Sequence, residues 1–128
     1  MPLSYLLDTQ VLLWWFSQSL RLKPDVRAAI ADPQTRIFVS AASFWEAAIK
    51  RAKGRLSFDS AALVGAVVGS GLQQLAITSA HALAAGDLPR HHDDPFDRML
   101  VAQAIAENLT LISSDARLRS YPVALIEA

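Results

Sequence analysis

The sequence predicts an α/β fold in which a central, mostly parallel sheet is flanked by helices. Short apolar runs alternate along the chain with segments of about ten residues that carry helical patterning or helix caps. Strands separated by helices in this way are typical of a parallel sheet that is covered on both faces. We expect a single domain over residues 1–128, because no linker, repeat or low-complexity tract divides the chain.

Five short segments have the composition of strands. The first, residues 5–7, is a buried apolar run, and the second, residues 36–39, is β-branched and aromatic. Residues 75–77 predict a brief third strand and residues 109–112 a buried fourth one. Residues 123–126 predict a final strand at the edge of the sheet.

Prolines, glycines and capping residues delimit the helices. Pro24 and Pro95 suit the first position of a helix, Gly54 ends the third helix, and Asp59 caps the fourth. The predicted helices span residues 9–16, 24 to about 32, 41 to about 53, 59–68, 79–85 and 95 to about 108, with a helical turn at 115–119. Residues 86–95 between the last two long helices predict an irregular loop rich in proline and charge.

The composition excludes several classes of function. Twelve basic residues balance twelve acidic ones, so no overall positive field indicates nucleic-acid binding. The absence of cysteine excludes a disulfide framework, a thiolate zinc site and a cysteine nucleophile. The sequence shows no signal peptide and no uncharged apolar run of about eighteen residues, so we expect a cytoplasmic protein without a membrane segment.

Eight of the twelve acidic residues have ordinary structural explanations. They suit first helical turns, helix caps, helix ends, loops or the chain end, and they are Asp25, Asp32, Asp59, Asp87, Asp93, Asp94, Glu107 and Glu127. Asp94 in particular precedes Pro95 and suits a helix N-cap. Four acids remain as site candidates: Asp8, Glu46, Asp97 and Asp115.

The four remaining acids share a position relative to the predicted strands. Asp8 directly follows the first strand, Asp115 follows the fourth within three residues, and Glu46 lies one turn into the helix after the second. Asp97 lies in the first turn of the helix that follows the charged loop. Ligands in parallel α/β sheets gather at the carboxyl ends of the strands, so we expect these acids to converge.

Each candidate also has a simpler explanation. Asp115 could cap a helical turn, Asp97 could complement a helix dipole, and Glu46 could pair with Lys50 at the i,i+4 spacing. Asp8 has the weakest such explanation, because it interrupts a strongly apolar run and an unpaired buried carboxylate is costly.

Converging carboxylates repel one another unless a cation or a proton compensates them. All-oxygen ligands favour Mg²⁺ or Mn²⁺, and such a metal can activate water and stabilise the reacting oxygens of a phosphodiester. The hydroxyls of Thr9, Ser40, Ser43 and Ser113 lie beside these acids in sequence. They suit either hydrogen bonds to metal ligands or plain helix capping.

Four segments, in order, resemble the PIN domain family and specifically its VapC-type toxin ribonucleases of bacterial type II toxin–antitoxin systems. They are residues 6–15 (LLDTQVLLWW), 40–50 (SAASFWEAAIK), 88–98 (LPRHHDDPFDR) and 111–115 (LISSD). The resemblance implies a PIN-like three-layer sandwich and a Mg²⁺- or Mn²⁺-dependent endoribonuclease that cleaves RNA. It also implies inhibition by a cognate antitoxin protein and a homodimer.

The family's acidic positions fall on Asp8, Glu46, Asp97 and Asp115, which makes these residues both the expected metal ligands and the expected catalytic residues. Gln10 departs from the histidine that commonly follows the Asp-Thr pair in this subgroup. Asp94 is a rival to Asp97, although its place before Pro95 fits a cap better.

Other chemistries have weaker support. The run His91-His92-Asp93-Asp94, with His81, could suggest a transition-metal site, but it lacks helical His-to-His spacing and precedes a proline in a loop. No Gly-x-Ser-x-Gly elbow or glycine-rich phosphate loop is present. The candidates for RNA contacts are the basic residues Lys50, Arg51, Lys53, Arg55, Arg98, Arg117 and Arg119. The spacing of Trp14, Trp15, Phe44 and Trp45 indicates core, with a partner groove as the alternative.

Two other functional classes compete with this interpretation, and the first of them stays open. The first is a catalytically silent PIN-like module that binds RNA or protein and whose acids only cap helices. The second is a phosphate-accepting receiver, which would need adjacent acids after its first strand and a lysine after a late strand; the sequence has neither.

Overall fold

A five-stranded parallel sheet forms the centre of the molecule. The computed structural model describes residues 3–128. The strands are β1 (Ser4–Leu7), β2 (Arg36–Ser40), β3 (Gln73–Leu75), β4 (Thr110–Ser113) and β5 (Leu125–Glu127), in the order β3-β2-β1-β4-β5. Each neighbouring pair is parallel. The predicted fold class is therefore confirmed, and every strand pair described is parallel rather than most of them.

Six α-helices connect and cover the strands. They are α1 (Thr9–Phe16), α2 (Pro24–Ala31), α3 (Ala41–Ala52), α4 (Ser60–Gly69), α5 (Ser79–Asp87) and α6 (Pro95–Glu107), and a 3₁₀ helix spans Ala116–Ser120. Within residues 3–128, no helix is both long and apolar enough to cross a membrane.

The sheet has a hydrophobic core on each face, because alternate strand residues point to opposite sides. Leu7 of β1 packs with buried residues of α1, α2 and α4 on one face, including Val11 and Val26. Its neighbour Leu6 packs on the other face with buried residues of α3 and α6, including Ala42 and Leu100. These two cores give the three-layer arrangement that the sequence predicts.

The register of the central strand positions the candidate site. Leu7 is the partner of both Val39 in β2 and Ile112 in β4. The residues that follow therefore lie side by side at the carboxyl edge of the sheet, with Asp8 between the ends of the two neighbouring strands.

The main errors in the predicted elements concern the two edge strands and α5. The third strand was expected at residues 75–77 but forms at Gln73–Leu75, because its pairing with Phe38 to Ser40 fixes its position. The fifth strand was expected at 123–126 and forms at Leu125–Glu127. Helix α5 continues to Asp87, so the irregular loop begins at residue 88 rather than 86.

Candidate active site

Asp8 lies directly before α1 and accepts hydrogen bonds at both of its carboxylate oxygens. Its Oδ1 accepts a hydrogen bond of 2.7 Å from the backbone N–H of Val11 and so caps α1. Its Oδ2 accepts hydrogen bonds from the Ser113 hydroxyl at 2.7 Å and from the Ser114 backbone N–H at 2.9 Å. Asp8 is 4% exposed. Its carboxylate therefore joins the ends of β1 and β4 inside the protein.

Burial raises the pKa of Asp8, and these donated hydrogen bonds oppose the rise. Oδ1 accepts a single bond within the described residues and retains a lone pair for another partner. A buried carboxylate with spare acceptor capacity at a strand end is well suited to a cation.

Asp115 follows β4 and is connected to Asp8 by hydrogen bonds of Ser113. The Ser113 Oγ that donates to Asp8 also accepts the backbone N–H of Asp115 at 3.0 Å. Asp115 caps the 3₁₀ helix, as the simpler explanation predicts, because its Oδ1 accepts the backbone N–H of Arg117 at 3.0 Å. The exposed Arg117 side chain also donates to both carboxylate oxygens, at 3.0 Å from Nε and 2.7 Å from Nη2. These Arg117 hydrogen bonds hold the pKa of Asp115 below its usual value.

Asp97 lies in the first turn of α6, facing the same edge. Its Oδ2 is 2.8 Å from Nε2 of His92, and its side chain is 19% exposed. Burial raises the pKa of Asp97 to about 6, the charges of Asp94 and Asp8 add to the rise, and the His92 hydrogen bond opposes it. Asp8, at the end of β1, is therefore close enough to Asp97, at the start of α6, for the two negative charges to repel each other.

Glu46 lies on the other side of this cluster and is less closely joined to it. Its carboxylate is 3.6 Å from Nζ of Lys50, which is the predicted i,i+4 pair. Within residues 3–128, no hydrogen bond or ion pair joins Glu46 to another of the four acids. Its helix is nevertheless held next to the site, because Thr9 donates to Ser43 at 3.0 Å and the Trp45 ring meets the Phe96 ring edge to face at 5.2 Å.

His92 is the site residue that the sequence reasoning set aside. Its ring lies between two of the acids, 2.8 Å from Asp97 Oδ2 and 3.5 Å from Asp115 Oδ2. Among the described residues, His92, Asp94 and Asp97 form the one group of three or more acidic or histidine side chains whose ligand atoms all lie within 4.8 Å. A histidine in a loop before a proline has no pattern that announces such a position, since only the folded chain brings Asp115 to it.

Several other residues singled out from the sequence have structural roles. His81 does not join the His91–Asp94 run; it completes the capping box of α5, with Nδ1 accepting the Thr78 backbone N–H at 3.1 Å. Arg98, a candidate for RNA contacts, donates to backbone carbonyls of α5 and of the loop before α6. Asp94 caps α6 as predicted, accepting the Phe96 N–H at 2.8 Å.

The hydroxyl predictions divide in the same way. Ser113 donates directly to Asp8, which confirms the expected hydrogen bond to a site acid. Ser40 instead caps α3, accepting the Ala42 N–H at 3.0 Å. Ser114, which the sequence reasoning did not select, contacts Asp8 through both its backbone N–H and its hydroxyl.

An open groove of about 620 Å³ lies along α1, starting two residues after Asp8. Its wall on one side is α1, including Gln10 and Trp14, and on the other the connection from α3 to α4. Lys50 and Arg55 add positive charge to a mostly apolar lining. Trp14 lines this groove. Trp45 lies outside it and is 64% exposed, so the prediction that its helical spacing places it in the core is wrong.

The donor set fits a hard divalent cation better than a soft one. The four candidate ligands are carboxylates, the chain has no thiolate, and Asp8 and Asp97 have raised pKa values that a nearby cation would relieve. A hard divalent cation with carboxylate ligands is in turn the kind that activates water and acts on phosphodiesters.

Comparisons with known proteins concern the family and the fold of this chain. A family model described as the PIN domain matches residues 5–124. Ribonuclease VapC22 of Mycobacterium tuberculosis (strain ATCC 25618 / H37Rv) is 34% identical over 124 residues, which cover 91% of this chain and 90% of that protein.

Two solved structures have the same fold. One chain belongs to VapBC2 from Rickettsia felis bound to a promoter DNA fragment, with a TM-score of 0.73, 17% identity and 98% of both chains covered. Another belongs to a toxin–antitoxin complex from Klebsiella pneumoniae, with a TM-score of 0.63, 18% identity and 95% of both chains covered.

Proposed function

This chain belongs to the PIN domain family, in its VapC-type branch, and on that premise we propose that it is a toxin that cleaves RNA as a metal-dependent endoribonuclease. The observation that carries the proposal is the convergence of Asp8, Asp97 and Asp115 at one edge of the sheet. Two side chains connect these acids: Ser113 joins Asp8 to Asp115, and His92 contacts both Asp97 and Asp115.

We propose Asp8, Glu46, Asp97 and Asp115 as the residues that hold Mg²⁺ or Mn²⁺. When bound, the ion would supply charge stabilisation at the phosphodiester and an activated water. The fixed hydrogen bonds of Asp8 hold its carboxylate in one orientation. Glu46 belongs to the set because α3 places it beside α1 and the first turn of α6, although Lys50 neutralises it here.

The basic residues that remain open to solvent would contact the RNA backbone. Arg117 is the nearest to the acids and its side chain is 71% exposed, so it can exchange Asp115 for a phosphate. Arg98 drops out of the proposed set, because it anchors the loop instead. Arg119 also has an internal partner, Glu127.

An antitoxin is the proposed protein partner, since the similar structures are toxin–antitoxin complexes. The groove along α1 supports this assignment, because it combines apolar walls with Lys50 and Arg55 and includes Gln10, two residues after Asp8. We propose a homodimer and a cytoplasmic location as parts of the same account.

The proposal is tested by incubating the purified protein with structured RNA in Mn²⁺ or in excess chelator. Asp97→Asn keeps the size of the side chain and an acceptor for His92, so we expect the variant to fold and to cleave roughly 10²-fold more slowly or worse. The matched control is Asp93→Asn, which removes an exposed acid from the loop before α6 and should cleave like wild type.

Cleavage that survives both the chelator and Asp97→Asn would contradict the metal-dependent mechanism. RNA binding without cleavage by the wild-type protein in Mn²⁺ would favour the alternative, a silent PIN-like module.

A further inference from the structure

His92 contacts two acids that belong to different elements of the fold. Asp97 belongs to α6 and Asp115 to the connection after β4, and Nε2 of His92 is 2.8 Å and 3.5 Å from their Oδ2 atoms. We propose that His92 is a positioning residue that holds these two carboxylates in the arrangement that binds the cation. The inference rests on the proposed function and adds a residue to it.

The chemistry of the partners fixes what the imidazole does. Ionised carboxylates only accept hydrogen bonds, so Nε2 must carry the hydrogen that it directs at Asp97, while Asp115 Oδ2 lies 3.5 Å from the same nitrogen. The neutral and the charged forms of the ring can both donate in this way. The positioning role therefore does not depend on a change in the protonation of His92.

The backbone of His92 is held in place from several directions. Its carbonyl oxygen accepts hydrogen bonds from Arg98 Nη1 and from the Tyr121 hydroxyl, each at 3.4 Å. Arg98 also donates to the carbonyls of Leu88 and Pro89, each at 3.0 Å, within the same loop. The loop is thus tied to α6 and to the residue that follows the 3₁₀ helix.

The side chain has little freedom to leave this position. It is 8% exposed, and the ring of the preceding residue, His91, packs edge to face against Tyr121 at 5.2 Å. Because both its backbone and its Nε2 are held, His92 can keep the Asp97 carboxylate in one orientation. Partners of this kind orient metal ligands and typically change metal affinity 10–100-fold when removed.

The geometry favours positioning over direct metal ligation. Asp97 uses Oδ2 for His92, and within residues 3–128 its Oδ1 accepts no hydrogen bond and stays available to a cation. For Nε2 itself to bind a metal, it would have to lose its hydrogen and both carboxylate contacts. Asp94, the third member of the group, already uses Oδ1 to cap α6.

Three variants of the full chain separate these roles. His92→Gln places an amide donor near the position of Nε2, His92→Leu removes the donor, and His91→Leu is the control, because it changes the exposed neighbouring histidine and keeps an apolar contact with Tyr121. Calorimetric titration with Mn²⁺, after circular dichroism shows that each variant is folded, gives the metal affinity without any RNA.

We expect His92→Leu to weaken Mn²⁺ binding 10–100-fold, His92→Gln to stay within a few-fold of wild type, and His91→Leu to leave it unchanged. Saturating Mn²⁺ should restore most of the RNA cleavage by His92→Leu. Wild-type affinity in His92→Leu overturns the inference and leaves the proposed function intact. Equal loss in folded His92→Gln and His92→Leu also overturns it, because a metal ligand would behave in that way. Absence of Mn²⁺ binding by the wild-type protein overturns the proposed function and this inference together.

Discussion

Asp8 explains why an acid interrupts the most apolar stretch of the N-terminal region. Its two oxygens accept backbone N–H groups from opposite sides, Val11 in α1 and Ser114 after β4. An asparagine would present one acceptor and one NH₂ group, so it could satisfy only one of these backbone donors. The carboxylate is therefore both a structural junction and a candidate ligand, and substituting it perturbs the two roles together.

Asp97 permits a cleaner test, because its raised pKa predicts a pH-dependent stability. Below the ordinary aspartate pKa of 3.8, the carboxyl group is protonated in both the folded and the unfolded chain. Between 3.8 and about 6 the unfolded chain ionises while the folded one retains its proton, so the free energy of unfolding falls as pH rises. Asp97→Asn has no carboxyl group at this position, so it does not lose this free energy. In the presence of chelator, we expect the stability of the variant relative to wild type to increase between pH 3.8 and about 6 and to stay constant above that range.

The gain should be roughly 1–2 kcal/mol, less than full conversion of the pKa shift, because the side chain keeps some contact with water. Urea unfolding of both proteins between pH 4 and 8 measures the difference. Asp93→Asn serves as the control for a change in net charge. If the stability difference between the two proteins stays constant with pH, or falls as pH rises, the folded protein does not raise the pKa of Asp97.

At the scale of single residues, sequence reasoning finds the acids by their positions after strands but not their partners. Asp8 and Asp115 could be placed at one edge because parallel strands end together there. His92 could not, because its contact with Asp115 spans the loop, α6 and β4. The Lys50 pairing of Glu46 was predictable, since it depends only on the helical repeat.

At the scale of elements, the end of α6 shows how the chain turns from the helix into β4. Asn108 adopts the left-handed conformation, with φ 56° and ψ 47°, and the Leu109 N–H bonds back to Ala104 at 2.8 Å. Glycine adopts this conformation without strain, whereas alanine does not. We expect Asn108→Gly to be neutral or slightly stabilising and Asn108→Ala to cost about 1 kcal/mol in urea unfolding.

Inside the same helix, alanine should be more stabilising than glycine, which is the reverse of the order expected at position 108. Ala106→Gly, at an exposed position of α6, should lower stability by somewhat under 1 kcal/mol. If glycine and alanine at position 108 gave equal stability, the left-handed cap would have no energetic role.

The elements that sequence predicted best have strong local signals. Helix α1 begins at Thr9 and ends at Phe16 as expected, and α6 begins at Pro95, where a capping aspartate precedes a proline. Strand β3 was misplaced because Gln73 and Gln74 are polar and exposed, while the apolar Leu75-Ala76-Ile77 run looks more like a strand. An edge strand takes its position from pairing with its neighbour, and single-segment patterning does not contain that information.

At the scale of the whole molecule, the strand order makes the site. Because β1 lies between β2 and β4, Asp8 is flanked by α3 with Glu46 on one side and by Asp115 on the other, and α6 brings Asp97 across the same edge. No two of these acids are closer than eighteen residues in sequence. The site therefore depends on the sheet being assembled.

The central claim is that the acids at this edge hold a divalent cation, and a crystal structure with Mn²⁺ tests it most directly. Anomalous scattering locates the ion independently of the protein phases. We expect a peak at coordination distance, about 2.1 Å, from carboxylate oxygens that include Asp8 and Asp97, with His92 hydrogen-bonded to Asp97 outside the coordination shell. Crystals grown in saturating Mn²⁺ with no peak at the carboxyl edge of the sheet, or with the ion bound by His92 and Asp94 instead, would contradict the account.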